Sequence, residues 1–311
     1  MFSPNTPIQT PSSINAATRY CGVFGYPVRH SASPAMQNAG IAALGLNWRY
    51  LAFEVHPDSL RTCLEGAEAM GFVGLNLTVP HKLLALEMVD VLDESARRWG
   101  AVNTVRFEGH PGDGSWRPVS ELSNFPVEVR SHGFNTDAEA ITRSIQEDLS
   151  MEIRGRSVLL LGAGGAGRTA ALKVASEGPA AIHLINRTRS KAEAVAGEIR
   201  VRNPEVVVSL EFPTGTVDLL VNATSLGLKP EDPLPLDEKH YSLSKAGAVY
   251  DMIYRPAETR LLNAARTAGC RVSNGLGMLL YQGAKALEIW SGRPAPIADM
   301  REALKKNVYG S

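Results

Sequence analysis

The fold of this 311-residue chain is decided by the stretch Ser157-Val-Leu-Leu-Leu-Gly-Ala-Gly-Gly-Ala-Gly167. The continuous apolar run at 158–161 predicts a strand buried on both faces of a parallel sheet. The glycines that follow have the spacing GxGxxG and precede a predicted helix, which is the context that supports dinucleotide binding. Further short apolar strands alternate with helices from 181 onward, which predicts a doubly wound α/β domain of the Rossmann type.

The glycines of this loop have separate physical roles. The first permits a tight turn, the second lets backbone approach a pyrophosphate, and the third lets the helix pack against the strand. The helix N-terminus then faces the phosphates. We therefore expect a cofactor loop made of Gly162, Ala163, Gly164, Gly165, Ala166 and Gly167.

The residues after the next predicted strand, 181–186, indicate which dinucleotide binds. NAD-selective sites usually carry Asp or Glu there, whereas this chain has Asn186-Arg187-Thr188, followed by Lys191. An arginine at this point can pair with a 2′-phosphate. The alternative is a solvated basic helix start, but basic residues there are unfavourable unless an anion is bound. The pattern favours NADP over NAD.

Composition and charge exclude several classes of protein. The chain has 32 Lys+Arg and 32 Asp+Glu, and this zero net charge argues against a nucleic-acid binder. No apolar run approaches the ~18 residues of a membrane span. The three distant cysteines fit a reducing cytosol, and the scattered histidines lack metal-ligand spacing. We expect a cytoplasmic protein without a metal site.

The N-terminal stretch predicts no secretory signal. Residues 1–19 contain three prolines, and Arg19 is their only charged residue. They lack an apolar h-region, and the prolines prevent the long helix of a transit peptide. We expect a flexible tail over 1–19.

The section from 20 to 137 mixes strands and helices around polar clusters. Ser31 and Ser33 lie two residues apart at a strand-to-helix transition, where hydroxyls and backbone donors suit a carboxylate. Plain helix capping by Ser33 is the alternative, and it leaves Ser31 unexplained. The stretch 108–130 is rich in Gly, Pro and Ser, so we expect an exposed excursion there.

A second polar cluster surrounds Lys82, which follows the end of a predicted strand in Asn76-Leu-Thr78-Val-Pro-His-Lys82. An isolated lysine is usually a solvated charge, but polar groups at Asn103 and at 135–137 favour a site. Because a lone histidine is a poor site marker, we expect His81 to be a surface residue.

Taken in order, these motifs resemble the shikimate dehydrogenase family over about residues 20–300. The resemblance continues with Asn222-Ala-Thr224-Ser225-x-Gly227, Tyr250-Asp251-Met252-x-Tyr254 and Gly275-Leu-Gly277-Met278-Leu-x-x-Gln282. It implies reversible reduction of 3-dehydroshikimate to shikimate by NADPH, in chorismate and aromatic amino-acid biosynthesis. It also implies an N-terminal α/β substrate-binding and catalytic domain, 20–137 plus 278–311, and an NADP-binding Rossmann domain, 138–277.

The resemblance assigns a role to each matched residue. Lys82 and Asp137 are implied as the catalytic pair, because an ammonium positioned by a carboxylate can stabilise and protonate a ketone oxygen. Substrate contacts are implied for Ser31, Ser33, Asn76, Thr78, Asn103, Tyr254 and Gln282. Cofactor contacts are implied for the glycine loop and for Asn186, Arg187, Thr188, Lys191, Thr224, Ser225, Met252, Gly275 and Met278. The implied partner is a small-molecule substrate, and we expect a monomer or homodimer.

Two alternatives remain open at this point. The first is a quinate/shikimate dehydrogenase with relaxed cofactor use or with NAD, against which Arg187 argues. Retention of Ser33 favours shikimate over quinate. The second is a non-catalytic NADP-binding paralogue, against which the presence of both Lys82 and Asp137 argues.

Overall fold

The computed structural model describes residues 14–124 and 126–310, which form two compact units. Unit 1 comprises the described residues up to Arg97, together with Ala101–Asn135 and Gly283 onward. Unit 2 comprises Arg98–Gly100 and Thr136–Gln282. These limits differ by a few residues from the predicted boundaries at 137 and 278.

The predicted tail does not extend to residue 19. Residues 1–13 lie outside the described residues, but Thr18 is buried and donates from Oγ1 to Asn47 Oδ1 at 3.0 Å. Arg19 opens the first strand, which pairs with the strand beginning at Trp48. The prediction was therefore wrong for the described end of this segment.

Unit 1 is built on a mixed sheet. Its strands within the described residues are β1 (Arg19–Gly25), β2 (Trp48–Glu54), β3 (Gly74–Leu77), β4 (Val91–Leu92), β5 (Thr104–His110), β6 (Arg117–Pro118) and β7 (Glu128–Phe134). The sheet order is β2-β1-β3-β5-β7-β4, with β6 paired to β5. Strand β1 runs parallel to β2 and β3, whereas β5 runs antiparallel to β3, β6 and β7.

The helices of unit 1 lie between these strands and at the C-terminal end. They are α1 (Ser33–Ala43), α2 (Leu60–Ala69), α3 (His81–Leu84) and α4 (Glu94–Trp99), whose last two residues belong to unit 2. Near the end of the chain, α9 (Leu276–Ser291) begins in unit 2 and ends in unit 1, and α10 (Ile297–Tyr309) contacts α1.

Unit 2 has the predicted doubly wound form. Its strands are β8 (Ser157–Leu161), β9 (Ala181–Ile185), β10 (Val207–Ser209), β11 (Val217–Asn222), β12 (Ala246–Asp251) and β13 (Arg271–Asn274). All pair in parallel in the order β10-β9-β8-β11-β12-β13. The remaining helices are α5 (Asp137–Leu149), α6 (Gly165–Ser176), α7 (Arg189–Arg202) and α8 (Arg260–Thr267). The prediction of a strand buried on both faces at 158–161 is confirmed.

The predicted excursion at 108–130 is shorter and better anchored than expected. Strand β5 continues to His110 and β7 already begins at Glu128. The intervening segment is held by Ser120, whose Oγ donates to the carbonyl oxygen of Trp290 at 2.7 Å. The Arg19 guanidinium also donates to two carbonyls of this segment. These bonds connect residues 100 to 170 positions apart, so local composition did not predict them.

Candidate active site

The polar clusters of unit 1 meet because β1 and β3 are parallel neighbours. Thr78, directly after β3, donates from its backbone N to Phe24 O at 2.9 Å. Directly after β1, Tyr26 N donates to Val79 O at 3.1 Å. The segments that follow β1 and β3 carry Ser31 and Lys82. Both segments therefore begin at the same end of the sheet, where the two parallel strands finish.

The two predicted carboxylate-binding serines are hydrogen-bonded to each other. Ser33 N donates to Ser31 Oγ at 3.3 Å. Helix α1 has Ala32 as its N-cap and no side-chain cap, so the alternative of capping by Ser33 is wrong. The Ser33 hydroxyl instead lowers the pKa of Tyr50, a residue that the sequence interpretation did not select, against the larger effect of burial.

The two predicted asparagines of unit 1 are brought together across β3 and β5. Asn76 Nδ2 donates to Asn103 O at 3.2 Å and to Thr104 Oγ1 at 3.1 Å. Leu77 N donates to the same Asn103 carbonyl at 2.9 Å. Asn76, Asn103 and Thr104 are all buried. The two bonds from Asn76 Nδ2 therefore hold the Asn76 carboxamide in one orientation.

Lys82 lies in α3, where its backbone is tied to the segment that carries Asn103. Val102 N donates to Lys82 O at 2.9 Å. The residue before it, His81, is fully buried, so the prediction of a surface histidine was wrong. Burial lowers the pKa of His81, whose two ring nitrogens have no hydrogen-bond partner among the residues that the structure describes. The short helix turns this imidazole inward and leaves Lys82 partly exposed.

The other predicted catalytic residue, Asp137, belongs to unit 2. It is buried and forms the first residue of α5, where the helix dipole stabilises an ionised carboxylate. Tyr254 and Gln282 are also in unit 2. Gln282 is buried on α9 and donates from Nε2 to Leu279 O at 2.8 Å. The predicted substrate and catalytic residues are thus divided between the two units.

The glycine loop has the backbone that its motif requires. Gly162 has φ +111°, and a Cβ there would lie 2.8 Å from Ala223 O. A Cβ at Gly167 would lie 2.5 Å from Gly162 O, where α6 crosses the loop. At Gly164 and Gly165 a Cβ would meet no atom within 4 Å. The loop therefore has no room for a side chain at Gly162 and Gly167, where it packs against neighbouring backbone. It leaves space at Gly164 and Gly165, where a pyrophosphate would approach.

Asn186 connects this loop to the basic segment after β9. Its Oδ1 accepts from Ala163 N at 3.0 Å, and its Nδ2 donates to Thr188 O at 2.8 Å. Arg187 and Lys191 are exposed and form no ion pair with any residue that the structure describes. Arg189, in contrast, is paired with glutamates of its own unit.

A cavity of about 450 Å³ lies beside the loop. Its lining among the described residues includes two cationic side chains and no carboxylate. The predicted cofactor residues that line it are Gly162, Gly164, Asn186, Arg187, Thr188, Lys191, Thr224 and Ser225. This set fits a dinucleotide with an additional phosphate near its adenosine end, because the cavity offers backbone donors at one side and cations at the other.

The predicted cofactor residues outside the loop and the cavity are Met252 and Gly275, which follow β12 and β13, and Met278, which lies on α9. A Cβ at Gly275 would lie 2.1 Å from Met252 O, so only glycine allows these backbones to approach so closely. Met252 and Met278 both pack against the apolar core of unit 2. Neither methionine, nor Gly275, lines the cavity described above.

A buried polar network that sequence reasoning did not interpret supports this edge of the sheet. Asp251 is fully buried and accepts from Asn222 Nδ2 at 2.9 Å, from Ile253 N at 3.1 Å and from Thr259 Oγ1 at 2.6 Å. Burial raises the pKa of Asp251, and these three hydrogen bonds oppose the rise. The motifs quoted above contain Asn222 and Asp251, but their pairing could not be deduced from spacing.

No helix among residues 14–124 and 126–310 is long and apolar enough to cross a bilayer. The same residues contain no group of three or more His, Cys, Asp or Glu side chains arranged to hold a metal ion.

A Rossmann-type unit with an open glycine loop, joined to a mixed α/β unit with a polar cluster beside a lysine, defines a nicotinamide-dependent oxidoreductase. Residues 23–105 match the shikimate dehydrogenase substrate binding domain, and 143–226 match the shikimate / quinate 5-dehydrogenase family. Residues 275–305 match the shikimate 5′-dehydrogenase C-terminal domain. The chain belongs to the shikimate dehydrogenase family, which confirms the resemblance.

Curated relatives match nearly the full chain. The shikimate dehydrogenase (NADP⁺) of Methanopyrus kandleri is 41% identical over 95% of this chain and 98% of its own length. The protein of the same name from Desulforamulus reducens is 39% identical over 95% of this chain and 97% of its own length.

Solved structures are similar over the whole chain as well. A shikimate dehydrogenase in complex with NADP⁺ has a TM-score of 0.81 and 34% identity, with 96% of this chain and 98% of that chain covered. The Thermus thermophilus enzyme in complex with NADP(H) and shikimate has a TM-score of 0.77 and 34% identity, covering 93% and 99%. A 5-ketofructose reductase of Gluconobacter has the same TM-score and identity, covering 94% and 99%.

Proposed function

We propose that this chain catalyses the reversible reduction of 3-dehydroshikimate to shikimate with NADPH, a step of chorismate and aromatic amino-acid biosynthesis. The observation that carries the proposal is the buried polar cluster of unit 1, in which Asn76 donates to the Asn103 backbone and the neighbouring Val102 donates to Lys82. Curated relatives over nearly the full length are named for this activity.

The polar cluster suits a small polyhydroxylated acid. Ser31 and Ser33, at the start of α1, supply hydroxyl and backbone donors for a carboxylate. Asn76, Thr78 and Asn103 supply amide and hydroxyl groups for ring hydroxyls. From unit 2 we assign Tyr254 and Gln282 to the same substrate, as the family resemblance implies.

Lys82 and Asp137 carry the proton chemistry. When bound, NADPH supplies a hydride to the ketone carbon of the substrate. The electron pair of the carbonyl bond then moves onto the oxygen, and the Lys82 ammonium stabilises this charge and donates a proton to it. We assign the Asp137 carboxylate to orient the ammonium and to accept a hydrogen bond from a substrate hydroxyl. In the reverse direction the neutral amine of Lys82 takes the hydroxyl proton.

The cofactor assignment rests on the basic end of the cavity. We assign Arg187 and Lys191 to a 2′-phosphate, because both line the cavity and no carboxylate among the described residues lines it to hold a ribose diol instead. Asn186, Thr188, Thr224 and Ser225 line the same space. The glycine loop holds the pyrophosphate, and we assign Met252, Gly275 and Met278 to the nicotinamide end.

Initial oxidation rates with two cofactors and two substrates test this proposal. Purified protein is assayed with shikimate or quinate, each with NADP⁺ or NAD⁺, at alkaline pH. We expect the shikimate and NADP⁺ combination to give the highest kcat/KM by at least about tenfold, the effect of one charge-assisted contact. A higher value for quinate with NAD⁺ would replace the proposal with the quinate alternative. Tight NADP⁺ binding without turnover would support the non-catalytic alternative.

A fifth assay addresses the reductase among the similar structures. NADPH consumption is measured with 5-ketofructose and with 3-dehydroshikimate. Because 5-ketofructose has no carboxylate, it cannot use the serine pair, and we expect it to be the poorer substrate. The expectations of a cytoplasmic location and of a monomer or homodimer stay predictions.

A further inference from the structure

Tyr50 lies on β2, an edge strand of the unit 1 sheet, and its backbone forms hydrogen bonds with a side chain of α1. Asn38 of α1 accepts from Tyr50 N at 3.0 Å through Oδ1 and donates to Tyr50 O at 2.8 Å through Nδ2. The same Nδ2 also donates to Pro34 O at 2.8 Å. These bonds hold Tyr50 in a set position relative to the start of α1, where Ser33 lies.

The ring and the hydroxyl of Tyr50 are both fully buried. The ring lies 6.1 Å from the indole ring of Trp290, which is also fully buried. A buried phenolic hydroxyl requires hydrogen-bond partners. Its Oη donates to Asn76 Oδ1 at 2.7 Å. Burial and the nearby Cys21 raise the pKa of Tyr50, whereas the Ser33 hydroxyl opposes the rise.

The direction of each bond around Asn76 follows from its partners. Asn103 O is a carbonyl oxygen and only accepts, so the amide nitrogen of Asn76 must face it. The amide oxygen must then face Tyr50, which has to donate. The second amide hydrogen is used by Thr104 Oγ1. Asn76 therefore has no free donor, and its one remaining capacity is to accept a hydrogen bond through Oδ1.

We propose that Tyr50 is a positioning residue for substrate binding, whose hydroxyl orients the Asn76 carboxamide. The inference rests on the proposed function, which assigns Asn76 to a ring hydroxyl. Because Asn38 holds the Tyr50 backbone beside the start of α1, the orientation of Asn76 is tied to the segment that carries Ser33. The hydroxyl that meets Asn76 must act as a donor, because Asn76 only accepts.

The variant Tyr50→Phe keeps the ring and removes the hydroxyl. We expect the KM for shikimate to rise about tenfold, the order set by loss of one or two neutral hydrogen bonds. The kcat and the KM for NADP⁺ stay within about twofold, because Tyr50 touches neither Lys82 nor the glycine loop in the proposed scheme. A global structural defect would instead change all three parameters.

Tyr241→Phe is the matched control. Tyr241 is also buried, and its Oη donates to Lys245 O at 2.8 Å in unit 2, away from every residue assigned to substrate. We expect Y241F to lower the melting temperature about as much as Y50F and to leave the KM for shikimate unchanged. An unchanged KM in Y50F, or equal KM changes in both variants, would overturn the positioning role.

A double-mutant cycle tests the coupling itself. If Tyr50 acts through Asn76, the KM increase in Asn76→Ala combined with Y50F is smaller than the product of the two single increases. Strictly multiplicative effects would overturn the coupling. Should Y50F not fold, Asn38→Ala replaces it in the cycle, because this change removes the bonds that hold the Tyr50 backbone and keeps the hydroxyl. Multiplicative effects in that cycle likewise count against the proposal.

The wild-type assay separates the two proposals. Absence of shikimate oxidation by wild type with either cofactor would overturn the proposed function, and the positioning role with it. Wild-type activity together with an unchanged KM in Y50F would overturn the positioning role alone.

Discussion

Asn222 and Asp251 end the adjacent parallel strands β11 and β12 and are joined directly, with Asn222 Nδ2 donating to Asp251 Oδ1 at 2.9 Å. Both are fully buried. Asn222 Oδ1 accepts in turn from the backbone N and the hydroxyl of Thr224. This pair therefore sets the backbone of two segments assigned to the cofactor, the one that begins at Thr224 and the one that begins at Met252.

We predict that Asp251→Asn destabilises the protein by about 1–3 kcal/mol, the cost of leaving a buried donor without an acceptor. The carboxamide nitrogen of the variant cannot accept, so at least one of the three bonded donors loses its partner. Urea denaturation measures the free energy of unfolding. We also expect a raised KM for NADP⁺, since Met252 follows directly. Wild-type stability in the variant would contradict the assigned network.

The crossing of α6 over the glycine loop predicts opposite results for two alanine substitutions. Gly167→Ala places a Cβ 2.5 Å from Gly162 O and should cost about 1–3 kcal/mol, the usual penalty of overpacking. Gly165→Ala meets no atom within 4 Å and should leave the melting temperature unchanged. Thermal unfolding of both variants without cofactor checks this. Equal destabilisation by the two would contradict the assigned packing.

We predict that Lys82→Ala lowers kcat by about 10²–10⁴-fold, the range of general acid–base catalysis. Its backbone bond to Val102 does not depend on the side chain, so the fold is retained. The dissociation constant for NADP⁺, measured by fluorescence titration, should stay within about twofold of wild type because Lys82 is assigned to the substrate. Near-normal turnover would remove Lys82 from the catalytic role.

Arg187 and Arg189 provide a matched pair for cofactor selectivity. We predict that Arg187→Ala raises the KM for NADP⁺ about 10–100-fold, the loss of a charge-assisted bond to phosphate, with little effect on NAD⁺. Arg189→Ala should leave both constants near wild type, because Arg189 is already paired with Glu193 and Glu211. Steady-state kinetics with each cofactor measure these constants in both variants. A larger effect in the Arg189 variant would indicate that the phosphate binds beside Arg189 instead of Arg187.

Glu108 makes stability depend on pH below neutrality. Burial opposes its ionisation, but hydrogen bonds from His132, Arg106 and Arg130 outweigh burial and lower its pKa from 4.5 to about 2. A carboxyl whose folded pKa is depressed stabilises the fold above its unfolded pKa and loses this contribution as pH falls. The loss therefore occurs between 4.5 and about 2, and amounts to about 3 kcal/mol at 1.36 kcal/mol per pKa unit.

The variant Glu108→Gln should be less stable at pH 7 and show a flatter stability profile from about pH 5 to about pH 2. Chemical denaturation at pH 7 and across the acidic range measures the two effects. Glu258→Gln is the control, since it removes an exposed carboxylate paired with Arg266 and should change stability by less than about 1 kcal/mol. An unchanged pH profile in the Glu108 variant would contradict the assignment.

Prediction from the sequence succeeded where the residues that determine a local structure lie within one short stretch. The strand, loop and helix around Gly162 were predicted because buried apolar runs and glycine spacing are local signals. Prediction was wrong for His81, because its burial depends on how a four-residue helix meets the rest of unit 1. The sequence interpretation also missed β7, whose register with β5 supplies most of its pairing partners.

By itself, then, the sequence determined the doubly wound unit, the glycine loop with its basic neighbour and the family to which the chain belongs. Spacing and residue type are enough for these, because each depends on backbone freedom or charge within a few residues. Only the tertiary structure decided that Tyr50 donates to Asn76, 26 positions away, and that Asn222 meets Asp251, 29 positions away. Such bonds form because strand register brings distant polar groups together in the interior, where they no longer contact water. No local sequence pattern indicates which partner each group will meet.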